Sequence, residues 1–367
     1  MTLRSSEYMV WAKTCSQSRF NLATSGLMNF PLKELGVEIG DLEISGPSLY
    51  GYEPLQQALA DKYGVKPSNI FAATGTSMAN HLAMAAILER GDEVVIEHPA
   101  YEPIIALADY LGAKVKRFHR SFDRGFEVEV GEVERSMSRR TRLIVLTNLH
   151  NPTSVLTDAK RLAEIGELAR SLGARVLVDE VYLDVTFAQK PNTAFRLGDH
   201  FVVTTSLTKA FGLSGLRCGA VIADERLVEQ MWQLNDLFGV IPAHTAERLS
   251  VLALERMDRV AKRAKEILDG NRTLVNQFLD SRDDLECVRS PFGTVLFPRL
   301  RSANADELCR ILRERHETTV VPGRFFGMPE HFRVGLGGDA ATLAGGLERL
   351  GNALDELREE QKKSVEV

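Results

Sequence analysis

A lysine that follows a β-branched run is the residue of this chain best suited to covalent chemistry. Lys209 comes after Phe201–Thr205 and precedes a glycine-containing turn. A buried lysine beside other cations has a lowered pKa, and only its neutral amine can attack a carbonyl. Ser206, three residues earlier, and Arg217, eight residues later, are suitable phosphate ligands. The spacing predicts a Schiff-base lysine for a phosphate-bearing aldehyde cofactor; the alternative is a solvated lysine at a strand-to-loop junction.

Two other segments are suited to binding anions. Gly75, Thr76 and Ser77 follow an apolar strand and open a helix, where backbone N–H groups can meet a phosphate at the positive helix end. The alternative there is an N-cap without a ligand. Arg333 lies in a short strand near the C-terminus. Its planar fork fits a carboxylate bidentately, and a structural salt bridge is the alternative.

Polar and aromatic residues at other strand ends could bind a planar ring. Asp179 ends a buried run, where an unpaired carboxylate is costly. Pairing with a protonated pyridine nitrogen would satisfy it and make the ring an electron sink; the alternative is a helix N-cap. Asn151, in an Asn-Pro turn, and Tyr182 could hydrogen-bond a phenolic oxygen, and Tyr101 could stack on the ring. The alternatives are a plain turn and a half-buried interface tyrosine, and His150 is predicted to be structural or on the surface.

Short β-branched runs alternate with helical patterns between about residues 70 and 225. Helices are predicted at Asn80–Arg90 and Asp158–Leu172 from the i, i+3, i+4 spacing of apolar residues. Since several of the runs are apolar on both faces, we expect a mostly parallel sheet covered by helices, which is an α/β architecture. The predicted strands are Ile70–Thr74, Glu93–Glu97, Lys114–Phe118, Arg142–Thr147, Arg175–Asp179, Phe201–Thr205 and Gly219–Ala223.

The rest of the chain predicts a smaller α+β lobe. Residues 224–281 are almost wholly helical in pattern, with a break at Gly239–Pro242. The remainder predicts strands near 293–298 and 332–336 and helices at 305–315 and 341–359. The first 40 residues are predicted to be irregular and to join this lobe, and 361–367 to form a solvated tail. The predicted large domain is therefore 45–265, and the small domain is 1–44 with 266–367.

Composition excludes several classes of protein. The chain has 367 residues, 44% hydrophobic and 26% charged, as is ordinary for a globular protein, and a net charge of -5 that gives no reason to expect nucleic acid. No apolar run approaches the roughly 20 residues that span a bilayer, and the N-terminus does not predict a signal peptide. The four cysteines have no metal-ligand spacing, so we expect reduced thiols, no metal and a cytoplasmic protein. They are Cys15, Cys218, Cys287 and Cys309.

As a set, these motifs resemble those of the class I/II aminotransferases, which belong to the fold-type I enzymes that use pyridoxal 5'-phosphate (PLP). The resemblance covers roughly residues 45–340. In order, the motifs are Tyr-Gly-Tyr at 50, Thr-Gly-Thr-Ser at 74, Pro-Ala-Tyr at 99, His-Asn-Pro-Thr at 150, Asp-Glu-Val-Tyr at 179, Ser-Leu-Thr-Lys at 206 and Arg333. The resemblance implies a large domain with a mostly parallel central sheet, a smaller α+β domain, and PLP as cofactor.

The resemblance also implies a role for each motif. Lys209 would bind PLP as a Schiff base and move a proton between the substrate Cα and cofactor C4′, and Asp179 would pair with the pyridine nitrogen. Asn151 and Tyr182 would contact the ring oxygen, and Tyr101 would stack on the ring. The implied phosphate ligands are Gly75, Thr76, Ser77, Ser206 and Arg217. Arg333 would bind the substrate α-carboxylate, Gly26 or its neighbours would close over the substrate, and Tyr50 would reach the partner's phosphate in a homodimer.

Departures from the family pattern bear on the substrate. Ser154 stands where the family has glycine after Asn-Pro-Thr, and Thr208 replaces the usual serine before the lysine. Residues 227–247 contain no Arg or Lys, although dicarboxylate-specific members often carry an arginine in this region. We therefore expect a basic or neutral amino donor rather than an aspartate-type one.

Three functions follow from the resemblance. The leading one is an aminotransferase that moves an amino group from an amino acid to a 2-oxo acid. The same constellation serves PLP-dependent lyases, decarboxylases and cyclases, for instance one acting on an arginine-derived amino acid. A non-catalytic PLP-binding regulator is disfavoured, since no helix-turn-helix pattern or basic patch is present and Lys209, Asp179 and Arg333 are all retained.

Overall fold

The computed structural model describes residues 5–47, 49–188, 192–301 and 304–365. The α-helices of this part of the chain are α1 Glu7–Thr14, α2 Leu32–Leu35, α3 Glu53–Tyr63, α4 Gly75–Ile87, α5 Glu102–Tyr110, α6 Val130–Ser136, α7 Ala159–Ser171, α8 Leu207–Phe211, α9 Glu225–Asn235, α10 His244–Glu255, α11 Met257–Asp280, α12 Ala305–Arg315 and α13 Ala340–Val365. None of these described helices is long and apolar enough to cross a membrane.

The strands form one large sheet and three small ones. They are β1 Phe20–Asn21, β2 Ile70–Thr74, β3 Glu93–His98, β4 Lys114–His119, β5 Thr141–Thr147, β6 Arg175–Asp179, β7 Phe201–Ser206, β8 Cys218–Ile222, β9 Leu285–Glu286, β10 Val295–Leu296, β11 Arg299–Leu300, β12 Thr318–Thr319, β13 Val321–Pro322 and β14 Phe332–Gly335. The large sheet has seven strands in the order β2-β8-β7-β6-β5-β3-β4.

The seven-stranded sheet is parallel except for β8, which runs antiparallel to both β2 and β7. Its central strands are buried on both faces: Val176, Leu177 and Val178 of β6 have no exposed surface. Such strands need helices on both sides, which explains their continuous apolar runs. The predicted α/β architecture is confirmed. Because the parallel strands point the same way, the residues that follow them meet at one edge of the sheet.

Several predicted bounds need correction. Helix α4 begins at Gly75 rather than Asn80 and ends at Ile87, because the chain enters the helix directly from β2. Helix α1 lies in the N-terminal segment predicted to be irregular. Helix α13 continues to Val365, so the backbone of the predicted tail is helical up to that residue, and 366–367 lie outside the described residues.

The N-terminal segment joins strands from the C-terminal part of the chain. Strand β1 pairs in parallel with β12, with Phe20 opposite Thr318. Leu22 then donates its N–H to the Thr319 carbonyl at 2.9 Å and accepts from Gly335 at 2.7 Å. Strand β14 also pairs with β10 and β13, which extends this network to Arg333. The proposed boundary between a large and a small domain near residues 45 and 265 stays a prediction.

Candidate active site

A cavity of about 350 Å³ lies at the carboxyl edge of the sheet. It is reached by the segments that follow β2, β3, β5, β6 and β7, and by the N-terminal segment. The predicted site residues that line it are Thr76, Ser77, Tyr101, Asn151, Asp179, Tyr182, Ser206, Lys209 and Arg217. These residues are separated by up to 141 positions in the sequence, so the topology of the sheet is what brings them together.

Lys209 lies in the short helix α8, whose N-cap is Ser206 at the end of β7. Its Nζ donates to the Ser25 hydroxyl at 3.1 Å. Burial, together with the positive charges of Arg333 and Arg217, lowers the pKa of the Lys209 amine to about 8, although the charge of Asp179 opposes the shift. Near neutral pH a useful fraction of this amine is therefore neutral and nucleophilic.

The lowered pKa predicts how the free amine reacts. With the cofactor removed, the rate at which Lys209 reacts with an uncharged aldehyde such as 4-nitrobenzaldehyde should rise about tenfold per pH unit up to pH 8 and then level off. Borohydride trapping and mass spectrometry of the Lys209 peptide measure this rate. N-acetyl-lysine methylamide is the control, since its rate should keep rising to about pH 10.4. A Lys209 rate that follows the control would contradict the lowered pKa.

Asp179 ends β6 and is only 4% exposed. It accepts hydrogen bonds from Asn80 Nδ2 at 3.0 Å and from the Val181 N–H at 3.1 Å. Burial raises its pKa to about 6, and these hydrogen bonds oppose the rise. Asn80 is itself fixed by Thr204, whose hydroxyl donates to Asn80 Oδ1 at 2.6 Å. Both of these donors to Asp179 are neutral. A buried carboxylate also needs a positively charged partner, and a protonated pyridine nitrogen provides one.

Sequence reasoning missed Asn80 as a site residue. It lies in α4 among apolar and small residues, is 5% exposed and lines the cavity. A polar amide on the apolar face of a helix was the available signal.

Asn151, Tyr182 and Tyr101 all line the cavity. Asn151 is buried and its Oδ1 accepts from Arg333 Nη1 at 3.0 Å, which leaves its Nδ2 as the donor for a ligand. Burial raises the pKa of Tyr182 to about 12, so its phenol is a proton donor throughout the neutral range. Burial also raises the pKa of Tyr101, whose ring packs edge-on against Tyr8 with centroids 5.6 Å apart.

The turn that carries Asn151 rests on a buried ionic network. Glu97 accepts from both the N–H and the hydroxyl of Thr147, at 2.6 and 2.7 Å, and from Arg120 Nη1 at 2.8 Å. The Thr147 hydroxyl in turn accepts from the Asn151 N–H at 2.9 Å. His150 is 1% exposed and lies between the Pro99 carbonyl and Thr153, which agrees with its structural interpretation.

Removing Glu97 should destabilise the fold. Glu97→Ala leaves the fully buried Arg120 guanidinium without its counter-ion, and we expect the free energy of unfolding to fall by about 3 to 5 kcal/mol. Urea denaturation followed by circular dichroism measures this. The matched control is Glu132→Ala, which breaks the exposed pair with Arg135 and should leave the free energy of unfolding almost unchanged. Equal effects of the two substitutions would contradict the network.

Ser154 adopts a left-handed backbone conformation itself, with φ +62°. The position where the family has glycine therefore keeps a positive φ here, and the Ser154 hydroxyl donates to the Val295 carbonyl at 2.8 Å. This hydrogen bond to β10 helps to hold a conformation that serine adopts at a cost.

A cradle for an anion lies between α4 and Arg217. Gly75 has φ +79°, and a Cβ there would lie 2.2 Å from Arg217 Nη2. Arg217 also takes a left-handed backbone conformation, with φ +49°. The Thr76 and Thr208 hydroxyls are buried and have no hydrogen-bond partner within the protein. Free hydroxyls, a guanidinium and the N-terminus of a 13-residue helix fit a phosphate group.

Arg333 is 1% exposed and lies behind Tyr8 and Asn151, next to the residues that line the cavity. Its Nη2 donates to the Tyr8 hydroxyl at 2.8 Å and to the Ala23 carbonyl at 3.2 Å, whereas its Nε has no partner. No carboxylate of the described residues forms an ion pair with it within 4.0 Å, so the predicted alternative of a structural salt bridge is wrong.

Four of the predicted residues do not line the cavity: Gly75 and Arg333, which lie next to it, and Gly26 and Tyr50. Gly26 packs on the stem of the reactive lysine, since a Cβ there would lie 3.1 Å from Lys209 Cδ. Tyr50 is 57% exposed and donates to Asp236 at 3.3 Å, so within one chain it does not reach the cavity.

The family model described as "Aminotransferase class I and II" matches residues 39–350. The chain belongs to this family. It is 29% identical to capreomycidine synthase of Streptomyces vinaceus, over 92% of this chain and 90% of that protein. It is 25% identical to an aspartate aminotransferase of Sulfolobus acidocaldarius, over 84% and 82% of the two chains. The structure of a PLP-dependent aminotransferase from Streptococcus suis has a TM-score of 0.91 at 24% identity, covering 97% of this chain and 99% of that one.

The fold is therefore the fold type I of PLP-dependent enzymes, and PLP is the cofactor. The residues of this class I/II chain fit that group. The orphaned Thr76 and Thr208 hydroxyls suit its phosphate, the buried Asp179 carboxylate suits its protonated nitrogen, and the Lys209 amine suits its aldehyde. The predicted family, fold and cofactor are confirmed.

Proposed function

We propose that the chain is an aminotransferase that moves an amino group from an uncharged amino acid to a 2-oxo acid. The observation that carries this proposal is the single amine of the cavity. Lys209 is the only lysine among the described residues that line it, and its pKa of about 8 lets it take up and release protons near neutral pH. PLP, when bound, supplies an electron sink for negative charge at the substrate Cα.

The other residues of the site act as holders and donors in this proposal. Asp179, fixed by Asn80, keeps a proton on the ring nitrogen. Asn151 and Tyr182 donate to the ring oxygen, Tyr101 covers the ring, and Arg333 binds the substrate α-carboxylate. The phosphate is held by Gly75, Thr76, Ser77, Ser206 and Arg217. Lys209 would take the proton from the substrate Cα and deliver it to C4′ of the cofactor, so that one base carries out both proton transfers.

The lining of the cavity supports an uncharged substrate side chain. Among the described lining residues, Lys209 and Arg217 are the only basic ones and Asp179 is the only carboxylate. All three are already assigned to the cofactor. Neither a second carboxylate nor a guanidinium of the substrate would find a counter-ion there, whereas Met9, Trp11 and Ala12 offer an apolar surface.

Self-association is part of the proposal. Apolar side chains are exposed on two neighbouring segments that the Tyr50–Asp236 hydrogen bond joins. They include Ile39, Ile44, Leu49, Leu237, Phe238 and Val240, each more than half exposed. So large a patch on one face is typical of a protein interface, and a second copy of the chain would bring Tyr50 near its partner's phosphate site. Light scattering after gel filtration should give twice the 40.8 kDa of the chain.

Cyclisation is the second candidate function. It is favoured by the 29% identity with capreomycidine synthase over 92% of the chain. The same fold, with a TM-score of 0.86, is also found in a solved structure of a PLP-dependent cyclase. The same lysine would remove the Cα proton, after which a side-chain group would leave and a ring would close. Transamination needs no leaving group on the substrate side chain, and the one lysine of the described lining can serve as its base, which is why we place transamination first.

A labelled donor separates the two functions. The PLP-loaded protein is incubated with single ¹⁵N-labelled amino acids and pyruvate, and the products are identified by mass spectrometry. Transamination transfers ¹⁵N to alanine and leaves a 2-oxo acid, whereas ammonia or a ring-closed product supports the rival. Uncharged donors should react faster than aspartate or arginine. Release of ammonia with every donor, without labelled alanine, would overturn the proposal.

A further inference from the structure

Helix α1 supplies one wall of the cavity, yet it precedes residues 39–350, which the family model matches. Tyr8, Met9, Trp11 and Ala12 of this helix all line the cavity. The wall is therefore built by residues that precede the segment matched by the family model. Its contact with Arg333 is made by Tyr8.

Tyr8 is buried beside Arg333, the residue proposed to bind the substrate carboxylate. It is 7% exposed, and its hydroxyl lies 2.8 Å from Arg333 Nη2. Its ring packs edge-on against Tyr101 and Phe325, with centroids 5.6 and 5.7 Å apart. The phenol oxygen thus takes a position on the guanidinium that a carboxylate oxygen could also take.

The donors of Arg333 can be counted. A guanidinium has five N–H groups, of which Nη2 carries two. Those two are matched by two acceptors, the Tyr8 hydroxyl and the Ala23 carbonyl, while Nη1 donates to Asn151 and Nε has no partner. A carboxylate that forms two parallel hydrogen bonds uses either both Nη atoms or Nε with Nη2. Each arrangement needs one Nη2 hydrogen, so one of the two present acceptors must leave.

Tyr8 is the acceptor that can leave. The Ala23 carbonyl belongs to main chain next to Leu22, which is hydrogen-bonded to both Thr319 and Gly335. Tyr8 instead extends from an eight-residue helix that is joined to α5 by a hydrogen bond from Ser6 to Glu102. Rotation of the Tyr8 side chain about its Cα–Cβ bond, or a small shift of α1, breaks fewer interactions than displacement of the strand-paired backbone.

We propose that Tyr8 is a specificity-determining gate at Arg333, whose hydroxyl the substrate carboxylate displaces from Nη2. The inference rests on the proposed role of Arg333 as the carboxylate ligand. A substrate must then bring a carboxylate able to compete with the phenol, and its arrival shifts α1 and the side-chain wall that Met9 and Trp11 form. Amines and alcohols of the same size, which lack the carboxylate, leave the gate in place.

Propionate is a suitable probe, since it has the carboxylate and no amino group to react. Its dissociation constant for the PLP-loaded protein is measured by calorimetry, with 1-propanol as the uncharged control. Tyr8→Phe removes the competing hydroxyl and keeps the ring, so we expect propionate to bind about tenfold more tightly. Tyr110→Phe, at a half-exposed tyrosine of α5, should leave propionate binding unchanged.

Trp11 reports on the movement of α1. The chain has two tryptophans, so Trp232→Phe leaves Trp11 as the single reporter. Propionate should change the Trp11 emission in the protein with Tyr8, because binding moves the helix, and 1-propanol should not.

The outcomes separate the gate from the proposed function. Tighter binding by Tyr8→Phe, together with a Trp11 response specific to propionate, supports the gate. Weaker, unchanged or absent propionate binding by Tyr8→Phe overturns the gate. The proposed function is unaffected in that case, provided that Arg333→Gln in the protein with Tyr8 abolishes propionate binding. If Arg333→Gln still binds propionate, Arg333 is not the carboxylate ligand. The gate is then wrong, and so is the role of Arg333 in the proposed function.

Discussion

Replacing Lys209 with alanine should lower turnover by about 10⁴-fold. The substitution removes the only lysine among the described cavity residues and therefore both the covalent attachment point and the proton carrier. Asp179 and the phosphate cradle remain, so the variant should still bind PLP. Turnover is measured with the best donor of the labelled panel, and cofactor attachment by borohydride reduction and peptide mass spectrometry.

Lys160→Ala is the control for the lysine substitution. Lys160 lies exposed on α7, away from the residues that line the cavity, and its loss should leave turnover and covalent attachment unchanged. A Lys209→Ala protein that turns over within tenfold of the wild type would remove Lys209 from the reaction and, with it, the proposed function.

Asp179→Asn should lower kcat by about 10²- to 10³-fold. The amide keeps the shape of the carboxylate and one of its two acceptor oxygens. It has no charge to hold a proton on the ring nitrogen, and loss of one partner of a buried ion pair costs about 3 to 5 kcal/mol. Steady-state kinetics with the same donor measures the effect. The pH dependence of the cofactor absorbance should change as well, because the ring nitrogen loses its partner.

Asp184→Asn is a closely matched control. Asp184 is 6% exposed against 4% for Asp179, and it pairs with Lys62 at 2.8 Å outside the active-site cavity. Its replacement should lower stability through the broken ion pair while kcat per folded molecule stays near that of the wild type. An equal loss of kcat in both variants would show that burial, and not contact with the ring, accounts for the Asp179 effect.

Much of the site could be predicted because buried β-strands can be recognised from short local runs of apolar residues. Runs such as Phe201–Thr205 are apolar on both faces, and the residue types just after them, Lys209 or Asp179, are costly to bury without a ligand. Parallel strands then bring these ends together whatever their distance in the sequence. Local chemistry and one topological rule were enough for nine of the 21 described residues that line the cavity.

What the sequence did not predict depends on long-range packing. Helix α1 has eight residues with no strong apolar stripe, and its place is set by aromatic contacts of Tyr8 with Tyr101 and Phe325, far away in the chain. The hydrogen bond from Asn80 to Asp179 spans 99 positions. Isolated helices as short as α1 are marginal in water, so its helical state depends on this packing. The position of Asn80 on an apolar helix face was a local signal, but its partner Asp179 was not.

The antiparallel direction of β8 links the cofactor site to the stability of the sheet edge. Because β8 starts at the edge where β2 ends, Thr74 lies opposite Cys218, and Gly75 and Arg217 flank the same rung of the ladder. A phosphate bound by both residues, as proposed above, would connect the edge strand β2 to its neighbour β8 at the end of their ladder. Binding of the cofactor would then stabilise this edge of the sheet, and loss of PLP would weaken it.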